Sequence, residues 1–253
     1  MTTHGDLAAD LDAALLRGEL FAVYQPQIAL ATGAIVAAEA LCRWDHPTHG
    51  LVPPDQFIAL AEETGAIQAI GRFMLDECLD ALSSWHALGA QIEVSVNVSP
   101  LQLTGLDFVD YLSEQVRQHL TPRHTLTIEI TESRPVLDLA DVARRLNSVR
   151  AIGVGIALDD YGTGHTSPQQ LEQLPVTELK LDRSLIQDDD ALRDAELVRT
   201  VDRARTRGVR IVAEGIETTS QLRLATDIGC ERAQGYLLGE PVDRPAFDAL
   251  IAA

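Results

Sequence analysis

Short apolar runs separated by amphipathic stretches recur along the whole chain, and six of the runs end in a carboxylate, an asparagine or a lysine. The run from Ile35 to Ala38 leads into Glu39, that from Ile92 into Asn97, and that from Leu126 into Glu129. Those from Val154, Val176 and Val209 lead into Asp159-Asp160, Lys180 and Glu214. The runs have strand length and β-branched content, and between them lie stretches with helical periodicity. Helices are expected from about Leu7 to Leu16, Pro53 to Ile67, Arg72 to Leu88, Leu106 to His119, Asp138 to Arg150, Pro168 to Gln173, Asp189 to Arg207, Ser220 to Ile228 and Pro245 to Ile251. Two further strands are expected, from Leu20 to Ile28 and near Ala233 to Leu238. The turn Thr32-Gly33 is too short for a parallel crossover, so the first two strands should pair antiparallel. The later alternation of strand and helix predicts parallel β/α units, and continuous apolar strands such as Ile211-Val212-Ala213 suit burial on both faces.

If the runs are neighbouring parallel strands, their last side chains gather on one face, where a barrel of this type carries its chemistry. The gathered set is rich in oxygen ligands with a single amine, an arrangement that is costly unless cations neutralise it. Taken singly, each residue has a structural alternative. Asp159-Asp160 and Asn97 suit turns, Glu39 and Glu129 suit buried salt bridges, Lys180 suits a partner carboxylate, and Arg43 suits the surface. Their common position at strand ends favours chemistry. The histidines are dispersed and no His-Glu-x-x-His pattern occurs, so hard cations, Mg2+ or Mn2+, fit better than zinc. Glu214 is either a metal ligand or a base, and the fork of Arg43 suits phosphate.

The chain of 253 residues has the length of one (β/α)8 barrel, and one domain spanning 1–253, with a core of about 11–251, is the economical reading. A net charge of −18 argues against DNA, RNA or an anionic membrane as partner. It leaves room for a small anion, because bound divalent cations invert the local field. Cys42, Cys78 and Cys230 are scattered, as in a reducing cytoplasm, and Cys42 lies beside the expected site. The first ten residues carry no basic or apolar leader, and no run approaches the roughly 20 apolar residues of a membrane span, so a cytoplasmic protein is expected.

The segment Ala38-Glu39-Ala40-Leu41-Cys42-Arg43-Trp44 resembles the signature of the EAL domain, the cyclic di-GMP phosphodiesterases of bacteria. The resemblance extends in order through Tyr24-Gln25-Pro26, Asn97-Val98-Ser99, Glu129-Ile130-Thr131-Glu132, Asp159-Asp160-Tyr161-Gly162-Thr163-Gly164, Lys180-Leu181-Asp182, Ala213-Glu214-Gly215-Ile216-Glu217 and Gln234-Gly235-Tyr236. It implies an α/β fold, a modified TIM (β/α)8 barrel with an antiparallel first strand. It also implies hydrolysis of cyclic di-GMP to linear 5'-pGpG with Mg2+ or Mn2+, two ions being expected. Carried over by motif, Glu39, Asn97, Glu129 and Asp159 resemble ligands of the first ion, and Asp159 and Asp160, with Glu214 nearby, surround the second. Lys180 resembles the residue that orients the attacking water. Gln25, Leu41, Arg43, Glu217 and Gln234 match substrate-side positions, and Glu132 matches the anchor of the loop after Asp160.

That loop departs from the family, which more often has phenylalanine at position 161, tyrosine at 165, serine at 166 and leucine at 168. His165 and Pro168 therefore bear on regulation and on the geometry of the homodimer that the resemblance implies. No cyclase or sensor segment accompanies these motifs, so input is expected from a partner protein or the dimer interface. The alternatives are a catalytically silent cyclic di-GMP receptor, a protein-interaction module, or another metal-dependent phosphoesterase on the same barrel. The first two would be marked by lost ligands, yet every matched acidic position is filled.

Overall fold

The structure, a computed structural model, describes residues 4–105, 107–130, 139–162, 168–187 and 195–252. Among these, β1 (Leu20–Ala29) and β2 (Ile35–His46) form an antiparallel hairpin in which Leu20 faces Trp44 and Gln25 faces Glu39. Gly33, at φ 72°, turns the chain between them, and its N–H donates to the Ala29 carbonyl at 2.8 Å. The remaining ring strands are β4 (Glu93–Val98), β5 (Leu126–Ile130), β6 (Gly155–Tyr161), β7 (Glu178–Leu181), β8 (Arg210–Ala213) and β9 (Arg232–Ala233). They pair parallel in chain order, starting from β2, and β9 returns to β1 antiparallel, so the sheet closes into a barrel with one reversed strand. The antiparallel first strand is thus present as the short turn predicts.

Pro26 sits inside β1 without breaking closure. The N–H groups of alternate residues face one neighbour, and Tyr24 donates in that direction to Val242 at 2.7 Å. The missing N–H of Pro26 falls between that bridge and the Ile28–Ala233 pair, so no ladder bond is lost.

The helices are α1 (His4–Arg17), α2 (Pro54–Thr64), α3 (Ile67–Ala87), α4 (Pro100–Leu103), α5 (Phe108–Gln118), α6 (Leu139–Ala151), α7 (Pro168–Gln173), α8 (Arg183–Gln187), α9 (Ala195–Thr206), α10 (Thr219–Ile228) and α11 (Arg244–Ile251). On α3, Ile67, Ile70, Met74, Cys78, Leu82 and Trp85 recur at helical spacing and are all buried. Trp85 meets Tyr24 edge-on at 5.5 Å and Phe247 of α11 at 4.9 Å, which joins β1, α3 and α11 outside the ring.

Several boundaries differ from the pattern. β2 runs on to His46 and folds back through a short strand β3 (Gly50–Val52), because Trp44 and His46 remain buried while Asp45 does not. β6 continues through Asp159 and Asp160 to Tyr161, and β9 is only Arg232–Ala233, ending where the expected last strand begins. The short helices α4 and α8 carry too few turns for periodicity to reveal, although Ser99 and Gln102 make a capping box for α4.

Charged residues open four strands and close the barrel end away from the predicted site. Glu93 accepts from Arg232 at 2.6 and 3.0 Å and from Arg210 at 2.7 Å, and Arg210 lies 3.3 Å from Glu178. Burial alone would raise the Glu93 carboxyl, but Arg232 and Arg210 hold it below its usual range.

Candidate active site

The C-terminal ends of the parallel strands deliver the expected residues to one place. Lys180 of β7 is fully buried, and its Nζ lies 2.7 Å from Glu129 Oε2, 2.7 Å from Glu214 Oε1, 3.2 Å from Glu39 Oε2 and 3.2 Å from Asp159 Oδ1. One ammonium thus meets four carboxylates that come from β2, β5, β6 and the residue after β8. Asn97 Nδ2 donates to Glu39 Oε1 at 2.8 Å, and Gln234 Nε2 donates to Glu39 Oε2 at 2.7 Å and to Gln25 Oε1 at 2.8 Å. Gln25 Nε2 donates in turn to the Gly239 carbonyl at 3.1 Å, which fixes both glutamines relative to β1.

The electrostatics follow from burial. For Glu39 burial pushes the carboxyl up, but Lys180 and the amides of Gln234 and Asn97 together bring it below its ordinary range. Burial and then Glu39 drive the Glu129 carboxyl well up, and burial and then Asp159 do the same for Glu214. Asp160 is pushed up to about 6 by burial and by Asp159. Burial disfavours the charged form of Lys180, yet Asp159, Glu129, Glu214 and Glu39 outweigh it and keep the ammonium protonated far above its ordinary range. A lone ammonium therefore leaves the cluster with surplus negative charge, and Glu129 Oε1 is buried without a hydrogen-bond partner.

Ligand atoms of Glu39, Glu129 and Asp159 lie within 4.8 Å of one another, and so do those of Asp159, Asp160 and Glu214. Asp159 belongs to both sets. An all-oxygen donor set, an orphaned carboxylate oxygen and an excess of negative charge fit one or more hard cations. Asp160 has φ 56°, an uncommon left-handed backbone for a residue with a Cβ, and its N–H donates to Asp159 Oδ1 at 3.0 Å. That local bend brings two successive carboxylates to one site, where a regular strand would point them to opposite faces.

Two cavities meet at Leu41. One of about 290 Å3 is lined by Gln25, Glu39, Asp159, Lys180, Glu214, Glu217 and Gln234, with Arg183 and Tyr236 at its edge. The other, of about 550 Å3, is largely apolar and includes Arg43, Ile58, Met74, Asn97 and Asp160. The structure thus brings together all the sequence-predicted site residues except Glu132, which lies outside the described residues, as does His165. Arg43 serves the larger cavity, where its Nη1 donates to the Cys42 carbonyl at 2.9 Å. Burial pushes the Cys42 thiol up to about 12, so it stays a protonated, poorly nucleophilic group. Sequence reasoning missed Arg183, which follows the Lys180-Leu181-Asp182 motif directly. It also missed the floor of Glu93, Glu178, Arg210 and Arg232, whose signal was a charge at the start of β4, β7, β8 and β9.

No helix among the described residues is long and apolar enough to cross a membrane. A family model described as the EAL domain matches residues 8–241. The bifunctional diguanylate cyclase/cyclic di-GMP phosphodiesterase MucR of Pseudomonas aeruginosa is 40% identical over 253 residues, covering 97% of this chain and 36% of that protein. The cyclic di-GMP phosphodiesterase PA2567 of the same species is 35% identical over 222 residues, covering 87% of this chain and 38% of that protein. The chain therefore spans little more than a third of either relative. The solved structure of the PaMucR phosphodiesterase in complex with c-di-GMP has a TM-score of 0.87 at 39% identity, over 96% of this chain and 99% of that one.

Proposed function

The chain belongs to the EAL domain family, and on that premise we propose that it hydrolyses cyclic di-GMP to linear 5'-pGpG with Mg2+ or Mn2+, two ions being held. The observation that carries this reading is the meeting of Lys180 with four carboxylates, in two ligand sets that share Asp159. Similar proteins named as cyclic di-GMP phosphodiesterases support the choice of substrate.

Glu39, Asn97, Glu129 and Asp159 would hold one ion, and Asp159 and Asp160 the other, with Glu214 beside it. Bound there, such ions would acidify water and neutralise charge growing on phosphoryl oxygens. The protein's own groups do the positioning. Lys180 Nζ donates toward the lone pairs of the attacking water and fixes its approach to phosphorus. Glu214, on the cavity side of Lys180, takes the water proton at its carboxylate oxygen. The new P–O bond forms as the bond from phosphorus to the ribose 3' oxygen breaks, and that oxygen leaves as the 3' hydroxyl of pGpG, taking a proton from solvent water. Gln25, Gln234 and Glu217 line the reacting half of the groove. Arg43 and Leu41 line the half whose size and apolar walls suit a guanine base. The same reading makes the protein a cytoplasmic homodimer, and light scattering of the purified chain tests the dimer.

Purified protein incubated with Mn2+ or Mg2+ and cyclic di-GMP should release pGpG as the first product. Ligand that binds yet stays intact would replace this function with that of a receptor.

A further inference from the structure

Arg183 opens α8 at the edge of the smaller cavity, exposed, and its side chain makes no hydrogen bond or ion pair with any described residue. Its stem is held by Gly215. That residue has φ 61°, and a Cβ there would overlap Arg183 Cβ and press on its Cγ and Cδ. A glycine is therefore needed both for the turn and for the passage of the arginine stem beside the Glu214 backbone. The guanidinium lines a cavity whose acidic residues are Glu39, Asp159, Glu214 and Glu217 and whose other cation, Lys180, is already paired with carboxylates.

Charge assigns it a task, and the assignment rests on the function proposed above. Glu39, Glu129, Asp159, Asp160 and Glu214 against Lys180 leave an excess that two divalent cations balance. The core is then neutral overall and holds the phosphodiester being cut. A cyclic dinucleotide carries a second phosphodiester across its ring, and that charge has no partner in the core. Arg43 faces the apolar cavity and already donates to the Cys42 carbonyl. Among the described residues Arg183 is the unpartnered cation on the acidic side, and its planar fork matches phosphate oxygens.

We propose that Arg183 binds the phosphodiester that is not cleaved, so that it selects substrates with two phosphates over those with one. Hydrolysis leaves that linkage in pGpG, so the contact persists in the product complex.

The test compares Arg183→Gln and Arg183→Lys with the parent chain, loaded with Mn2+, on cyclic di-GMP and on bis(p-nitrophenyl) phosphate, which has one phosphodiester. Calorimetry on the same proteins measures binding of pGpG and of 5'-GMP. Loss of a charge-assisted contact of this kind should lower kcat/KM on cyclic di-GMP and weaken pGpG binding by about 10- to 100-fold. Turnover of bis(p-nitrophenyl) phosphate and affinity for GMP should stay within about twofold, and the lysine variant should recover part of the loss because it keeps the charge. Equal losses on both substrates would overturn the assignment by making Arg183 a support for the fold, and so would no loss on either. If the parent chain leaves cyclic di-GMP intact, the hydrolase reading fails on its own, and the contrast between pGpG and GMP binding still decides the role of Arg183.

Discussion

Replacing Lys180 with methionine removes the ammonium while keeping a stem of similar length. In the metal-free protein it leaves Glu39, Glu129, Asp159 and Glu214 facing one another, where each now lies 2.7–3.2 Å from Nζ. Breaking a buried ion pair by deleting one partner costs about 3–5 kcal/mol. For a domain of this size that corresponds to a fall in Tm of roughly 6–20 °C. The penalty depends on pH in a defined sense. Burial and neighbouring carboxylates already raise Glu129 and Glu214, and losing the cation raises them further. A carboxyl raised on folding stabilises the folded state fully below its unfolded value, about 4.3, and that contribution is lost as pH rises through the folded value. The variant should therefore lie close to the parent near pH 4 and diverge from it toward pH 8. A divalent cation should offset half or more of the loss, since ligand at 100 times its Kd contributes about 2.7 kcal/mol. Thermal unfolding of both proteins in chelator and in Mn2+, across that pH range, measures each quantity. The variant should retain metal yet hydrolyse cyclic di-GMP far more slowly. A Tm equal to the parent's in chelator at pH 8 would refute the account of Lys180 as the counter-ion of the cluster, and failure to bind metal would mean that its role has been misassigned.

Glu39→Ala should abolish pGpG formation, and product chromatography showing parental turnover with metal present would remove the site assignment. Asp160→Asn should weaken metal binding through one of the two ligand sets, so a titration of rate against Mn2+ should shift to higher concentration. Gly215→Ala should cost about 1–3 kcal/mol from its left-handed backbone and should also displace Arg183, which denaturant unfolding and kcat/KM read separately. Glu93→Gln weakens the floor by about 1.5–3 kcal/mol, the range for hydrogen bonds to a charged group, and should leave kcat unchanged. Because the Glu93 carboxyl is lowered on folding, its contribution is present above about pH 4.3 and disappears as pH falls through the folded value, so parent and variant should converge in acid.

The strand ends were legible because each apolar run stops at a polar group, and a buried parallel strand has few other reasons to do so. Glu129 and Lys180 illustrate this, since both are fully buried and yet oppositely charged. The antiparallel start was legible from the length of one turn. What escaped depended on backbone angles or on distant partners. Nothing in the sequence near Asp160 announces its left-handed φ, which decides where its carboxylate goes. The interaction of Arg183 with Gly215 joins two segments whose neighbourhood exists only once β7 and β8 pair. The Glu93–Arg232 pair spans the barrel floor in the same way.

The reversal of β1 changes where the N-terminal segment meets the molecule. In an all-parallel barrel, whatever precedes the first strand enters beneath the chemistry. Here β1 starts beside Trp44, near the upper end of β2; α1 is tied to that end by the contact of Asp10 with His46, and the connection after it by those of Glu19 with Trp44 and Asp45. The same strand carries Glu39, Leu41 and Arg43. The helix is therefore joined, through a connection only a few residues long, to the strand whose Leu41 lines both cavities.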